Sequence, residues 1–275
     1  MTRLVGASAA AAALSGCASV DRNAHADALA APAHLQRETV RTDSFSLTAY
    51  ARITRRDAPI DVYIEGDGLA WVSRTQPSLD PTPREATGLA LAAADRAANV
   101  AYLARPCQFT PMSDNPRCAV RYWTGARFAP EVVASMDQAL DAIAARAPGQ
   151  GIRLIGYSGG AALAVLIAAR RHDVVSLRTV AGNLDSEYVN RIHHVSAMPA
   201  SLDPIDVAPQ LRDLPQLHFS SDADAVVPPA VAERFVAATG PRCARWHVVN
   251  GIAHDGDWAR AWPALLRIDV RCEGR

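Results

Sequence analysis

Residues 152–162, Ile-Arg-Leu-Ile-Gly-Tyr-Ser-Gly-Gly-Ala-Ala, constrain the fold of this chain more than any other stretch. A short aliphatic run enters the pentapeptide Gly156-Tyr157-Ser158-Gly159-Gly160, and a small, apolar, helix-prone run to Ala169 leaves it. The pattern predicts a strand, a sharp turn and a helix, with Ser158 at the apex. Such a turn brings strand end and helix start so close that side chains two positions either side of the apex would collide. Glycines occupy both positions, 156 and 160. A helix that opens directly after the serine points the Gly159 N–H at negative charge developing beside Ser158. A serine presented this way still needs a base to act as a nucleophile.

The strand, Gly-x-Ser-x-Gly turn and helix resemble the nucleophile elbow of the α/β-hydrolase family. That resemblance implies an acid and then a histidine downstream, each on a loop that follows a later strand. Residues 217–220 read as a short buried strand, and Ser221-Asp222-Ala223-Asp224-Ala225-Val226-Val227-Pro228-Pro229 follows it. The family commonly carries its Asp just before such a Val-Pro step, where the next helix opens at proline. Asp224 fits that register, with Asp222, and Asp185 after the strand ending near residue 181, as alternatives. Residues 245–249 read as the last major strand, and the Gly251-Ile252-Ala253-His254 loop behind it is where the family keeps its histidine. The triad implied is Ser158, Asp224 and His254. Among the other histidines, His218 and His247 lie within strands, and His25 and His34 precede the domain. The His193-His194 pair has no carboxylate or cysteine at ligand spacing beside it, so no metal is expected, and no cofactor.

Residues 60–65 read as a strand leading into Gly66-Asp67-Gly68-Leu69-Ala70-Trp71. By position this resembles the family's His-Gly-x-Gly oxyanion loop, with Glu65 in place of the histidine. The donor that joins Gly159 is then the backbone N–H of Asp67, or of Gly68 if the register slips by one. A dinucleotide fingerprint fails here because its third glycine position is Trp71. Glu65 and Asp67 put two carboxylates near the place where negative charge must develop, so both side chains are expected to turn away from it. Trp71, Tyr122, Trp123 and Met198 fall in loops or insertions and are candidate pocket residues.

Residues 45–53 alternate as a half-buried early strand. Strands near 60–65, 99–104, 152–156, 174–181, 216–220 and 245–249 then alternate with helices near 84–97, 130–147, 159–171 and 228–239. Repeated β-then-α segments predict α/β architecture, a mostly parallel central sheet with helices on both faces. The resemblance makes this the α/β-hydrolase fold over residues 38–275, with ligands at the carboxyl edge of the sheet. Residues 183–215 sit where relatives insert a lid, and they lack a long amphipathic pattern, so any cap is small or absent.

The N-terminus sets the expected location. A basic start, an apolar Ala-rich run over 4–14 and Leu14-Ser15-Gly16-Cys17 resemble a bacterial lipoprotein signal, with residues 1–16 removed and Cys17 acylated. The apolar run is too short to span a bilayer at about 20 residues. Ala18 and Ser19 follow the cysteine, which favours the outer membrane. Residues 17–37, Ala-rich and patternless, are expected to be the lipidated cysteine and a flexible tether. The remaining cysteines, Cys107, Cys118, Cys243 and Cys272, are even in number, which suits disulfides in an exported chain. Three connectivities are open, and local pairing, Cys107 with Cys118 and Cys243 with Cys272, is expected.

Lys+Arg and Asp+Glu are both 28 and no basic stripe appears, which argues against a nucleic-acid partner. Every one of those basic residues is arginine, so a P-loop, a Schiff base and a Ser-Lys dyad are excluded. The expectation is a membrane-anchored, monomeric serine hydrolase acting on a small-molecule or lipid ester. The alternative is a catalytically inactive envelope lipoprotein of the same fold with a binding or scaffolding role; acyl transfer and amide hydrolysis are further variants.

Overall fold

The computed structural model describes residues 21–274; the lipobox and Cys17 lie outside the described residues. Eight strands form one sheet: β1 Gln36–Arg41, β2 Ser46–Ile53, β3 Ile60–Ile64, β4 Asn99–Leu103, β5 Ile152–Tyr157, β6 Val174–Val180, β7 Gln216–Ser221 and β8 Ala244–Val249. Their order is β1-β2-β4-β3-β5-β6-β7-β8; β2 runs antiparallel to both neighbours and every other pair is parallel. The helices are α1 Arg22–Ala30, α2 Thr87–Ala94, α3 Pro130–Ala144, α4 Gly159–Ala168, α5 Ser186–Ile192, α6 Pro204–Val207, α7 Ala230–Thr239 and α8 Trp258–Leu265.

Strand alternation divides the core in two. Val62, Ile64, Ala101, Leu103 and Leu154 face α3, α4 and α7, whereas Tyr63, Val100, Tyr102 and Ile155 face α1, α2 and α8. Successive residues of a strand point to opposite faces, so a sheet covered on both sides must be apolar at nearly every position. β3 and β4 are buried throughout. Helix α4 is buried on every side, which explains its small-residue sequence: alanine and glycine let it lie against both β5 and β6. The expected 183–215 insertion holds only α5, α6 and a 3₁₀ turn at Ala208–Leu211, a small cap.

The tether reading of 17–37 needs correction from Asp21 onward. Asp21 caps α1 through Asn23 and Ala24 N–H groups, and Ala26, Ala30, Ala33 and Leu35 are buried against the domain. Tyr50 Oη donates to Asp27 at 2.5 Å, and Arg37 bonds Asn23 at 2.6 Å. β1, at the sheet edge, was not expected either. Both expected disulfides form, Cys107–Cys118 and Cys243–Cys272. The second ties the C-terminal segment to the residue just before β8.

Candidate active site

Ser158 sits between β5 and α4 at φ 50°, ψ −119°, a region that L side chains rarely adopt. The flanking glycines carry the reason. A Cβ on Gly156 would lie 2.4 Å from Ala161 Cα, and one on Gly160 would lie 2.3 Å from the Ile64 carbonyl oxygen. The turn is pinned by hydrogen bonds from Ser158 N–H to Val180 O at 2.9 Å and from Asn183 N–H to Ser158 O at 3.1 Å.

His254 lies in the loop between β8 and α8. Its Nε2 is 2.9 Å from Ser158 Oγ, and its Nδ1 is 2.8 Å from Asp224 Oδ2. The Asp224 side chain is fully buried, and its other oxygen accepts the N–H groups of Val226 and Val227, both at 2.8 Å. With one oxygen taken by those two N–H groups, the other is left to accept, and it meets the imidazole. Nδ1 is then the protonated nitrogen and Nε2 offers its lone pair to the serine hydroxyl. The alternatives for the acid are employed elsewhere. Asp222 accepts the Gly251 N–H at 2.7 Å, and Asp185 caps α5 and pairs with Arg234 at 2.7 Å.

Two residues that sequence reasoning passed over hold the histidine loop. Tyr157 Oη and Trp258 Nε1 both donate to the His254 carbonyl, at 2.9 and 3.1 Å. Tyr157 is the variable residue before the nucleophile, and its position in the pentapeptide was the available signal.

The loop after β3 closes the other side of Ser158. Glu65 does turn away: it is buried and accepts the N–H groups of Gly66, Gly88 and Leu89 and the Tyr102 hydroxyl. Burial pushes its carboxyl up, and those bonds at the start of α2 pull it back. Asp67 does not turn away. Its carboxylate lies over the Cα of Gly159, where an added Cβ would come within 2.0 Å of it. Arg105 and Arg127 grip it from behind, the second at 3.3 Å. Burial pushes the Asp67 carboxyl up, but Arg127 and Arg105 outweigh it and hold it below the usual carboxylate range. The two guanidinium groups stack on the Phe128 ring, 5.2 and 5.3 Å from its centroid. Nothing in the sequence flagged Arg105 or Arg127; each is a lone arginine in a loop.

Among the described residues, the backbone N–H groups of Gly159 and Asp67 donate to no protein acceptor. Gly68 sits one step further out, at φ 66°, with its Cα against the Pro81 carbonyl. Of the candidate pocket residues, Tyr122 and Trp123 are corrected to core: they are 2% and 5% exposed, and Trp123 Nε1 donates to Ser78 O. Met198 lines a separate cavity of about 370 Å³ between α5 and residues 195–203. Trp71 projects into solvent. Among the described residues no group of His, Cys, Asp and Glu is arranged to hold a metal.

Strand order, elbow and carboxyl-edge loops together define an α/β-hydrolase fold. Solved structures share it. Est1E from Butyrivibrio proteoclasticus is similar at a TM-score of 0.55 and 14% identity, over 84% of this chain and 97% of that one. XC6422 from Xanthomonas campestris, an α/β serine hydrolase without lid, is similar at 0.53 and 14%, over 85% and 94%. A puromycin-hydrolyzing peptidase from Mycobacterium tuberculosis is similar at 0.60 and 15%, and there 86% of this chain covers 38% of the other. No protein-family model matches the sequence, and no curated protein sequence is significantly similar to it.

Proposed function

We propose that the protein is a serine hydrolase that cleaves carboxylic esters through an acyl-enzyme and is held in the bacterial envelope by an acylated Cys17. The unbroken hydrogen-bond chain from Ser158 through His254 to the buried Asp224 carries this reading. Ser158 Oγ attacks the ester carbonyl while His254 Nε2 takes its proton. The tetrahedral oxyanion is received by the N–H groups of Gly159 and Asp67. Collapse expels the alcohol, which takes the proton back from His254, and water then repeats the sequence to release the carboxylic acid. Asp67 is favoured over Gly68 as the second donor because its side chain packs directly against Gly159. The likeness in fold to Est1E and to a serine hydrolase without lid supports the hydrolase reading.

The inactive-lipoprotein reading draws on one observation, the Asp67 carboxylate beside Gly159. Two arginines offset that charge, so we do not adopt it. A fluorophosphonate probe is expected to label the wild-type protein and not Ser158→Ala. Unlabelled wild type, or equal labelling of both, would sink the assignment.

A further inference from the structure

We propose that the hairpin over residues 69–81 rests on the bilayer that carries the Cys17 anchor, so that the carboxyl edge of the sheet faces the membrane and draws its ester from it. This rests on the lipid-anchor part of the proposed function. The hairpin springs directly from the loop that holds Asp67. Leu69 N–H donates to Pro81 O at its base, Ser78 N–H to Ala70 O midway, and Val72 N–H to Gln76 O near the tip, at 3.0, 3.0 and 2.9 Å. Trp123 holds it against the core through Ser78 O. It is thus an ordered projection, yet it presents Trp71, Val72 and Leu79 at 45, 50 and 86% exposure. A hairpin with its backbone bonded and its large apolar groups facing out is arranged for an apolar partner.

The start of the described chain says which partner. Arg22, the first residue of α1, pairs with Asp80 at 2.5 Å and also bonds the Thr82 carbonyl. Asn23, Asp80, Thr82 and the exposed Met112 line one hollow beside it. Only residues 18–20 separate Cys17 from the Asp21 cap. At no more than ~3.6 Å per residue, those steps reach about 14 Å. Acyl chains on Cys17 hold its backbone at headgroup level. The α1 start, and the hairpin clamped to it, are therefore kept within that distance of the lipid surface, where a tryptophan belongs by its amphipathic ring. A domain on a long tether would face any direction; this one cannot. The consequence for substrate is a class: esters that partition into the bilayer.

The test uses the full-length lipidated chain in vesicles of phosphatidylethanolamine and phosphatidylglycerol, part of the lipid brominated in its acyl chains. Wild type should lose more tryptophan fluorescence than Trp71→Phe; equal quenching overturns the proposal. Val72→Ser/Leu79→Ser should abolish that extra quenching. It should also slow turnover of a long-chain ester dissolved in the vesicles roughly tenfold or more, since even partial loss of the lipid contact of two aliphatic side chains is on that scale. A short, water-soluble ester should be turned over unchanged, and equal effects on both esters overturn the proposal. Fluorophosphonate labelling of the same samples separates the two readings. Labelling without Trp71 quenching sinks the docking alone, whereas quenching without labelling upholds the docking and removes the hydrolase. Failure to float with vesicles sinks the anchor and the docking together. Self-association in detergent that the double variant abolishes would assign the patch to a second copy and overturn the proposal.

Discussion

At the scale of single residues, the site separates groups that sequence reasoning could only rank. Asp224 and Asp222 stand two positions apart in one loop, and both touch the histidine's surroundings. Asp224 meets the imidazole, whereas Asp222 holds the backbone at Gly251. Asp224→Asn is expected to lower kcat roughly 10³–10⁴-fold, because an amide fixes the wrong tautomer of His254. Asp222→Asn should cost less than about tenfold, since an amide oxygen still accepts the Gly251 N–H. Steady-state kinetics on a soluble ester decide it, and a reversed order moves the acid to Asp222. Asp67 makes a second residue-scale case. The carboxylate and its two arginines fix the turn that carries the Asp67 N–H. Asp67→Ala should therefore lower kcat by roughly 10²-fold, the scale of losing one oxyanion donor, with KM little changed. A loss confined to KM would mean that the cluster binds substrate instead. Ser158 was legible because a strained turn needs glycines at fixed positions around its apex. Asp224 and His254 were legible through the resemblance to the α/β-hydrolase family, which puts an acid and a histidine on loops after later strands. The arginine clamp was not, because it joins the loop after β3 to the two ends of the connection between β4 and α3 and needs no local pattern.

At the scale of elements, the parallel strands and the helices between them were legible to within a few residues. Burial on both faces demands continuous apolar runs, and proline marks the opening of α3. The N-terminal elements were not. The inward side of α1 is made of alanine, Ala26 and Ala30, so its amphipathic pattern is faint and reads as compositional bias. Its fixation comes from partners that no local window contains, such as Tyr50, Asp80 and Thr82. β1 is polar because an edge strand keeps charge outward, which hides it from a search for apolar alternation. The two readings of residues 21–35 differ in a measurable way. Ala26 is completely buried, so Ala26→Leu overpacks the seam between α1 and the domain and should cost about 1–3 kcal/mol by urea denaturation. An unchanged midpoint would restore the tether.

At the scale of the whole molecule, two buried ionisable groups on opposite faces of the sheet set opposing responses to pH. His218 lies on the α7 side, fully buried, with its ring against Phe235. Gln216 Nε2 donates to the Leu211 carbonyl, leaving its oxygen to accept from His218 Nε2–H, while the Thr179 hydroxyl donates to Nδ1. Both ring nitrogens are thereby satisfied in the neutral form, and burial pushes the imidazole down to about 3. The unfolded chain takes up a proton near pH 6.5 that the folded protein refuses. His218 thus contributes stability above that pH, and the contribution drains away as pH falls toward 3, at about 1.4 kcal/mol per unit. Asp61, on the Tyr63 face, has the opposite sign. Burial, opposed by Arg153 and reinforced by Asp95, pushes its carboxyl up to about 7. The folded protein keeps a proton that the unfolded chain loses near pH 4, so stability from this group is present at low pH and lost as pH rises to 7. Between about pH 4 and 6.5 the two slopes offset each other. Asp61→Asn should expose the histidine, with stability falling as the medium is acidified across that window. His218→Asn should expose the aspartate, with stability rising over the same interval. Urea midpoints taken at half-unit steps compare each variant with wild type, and every other titrating group is common to all three proteins. Parallel profiles for wild type and both variants would mean that neither group titrates differently in the folded and unfolded chains.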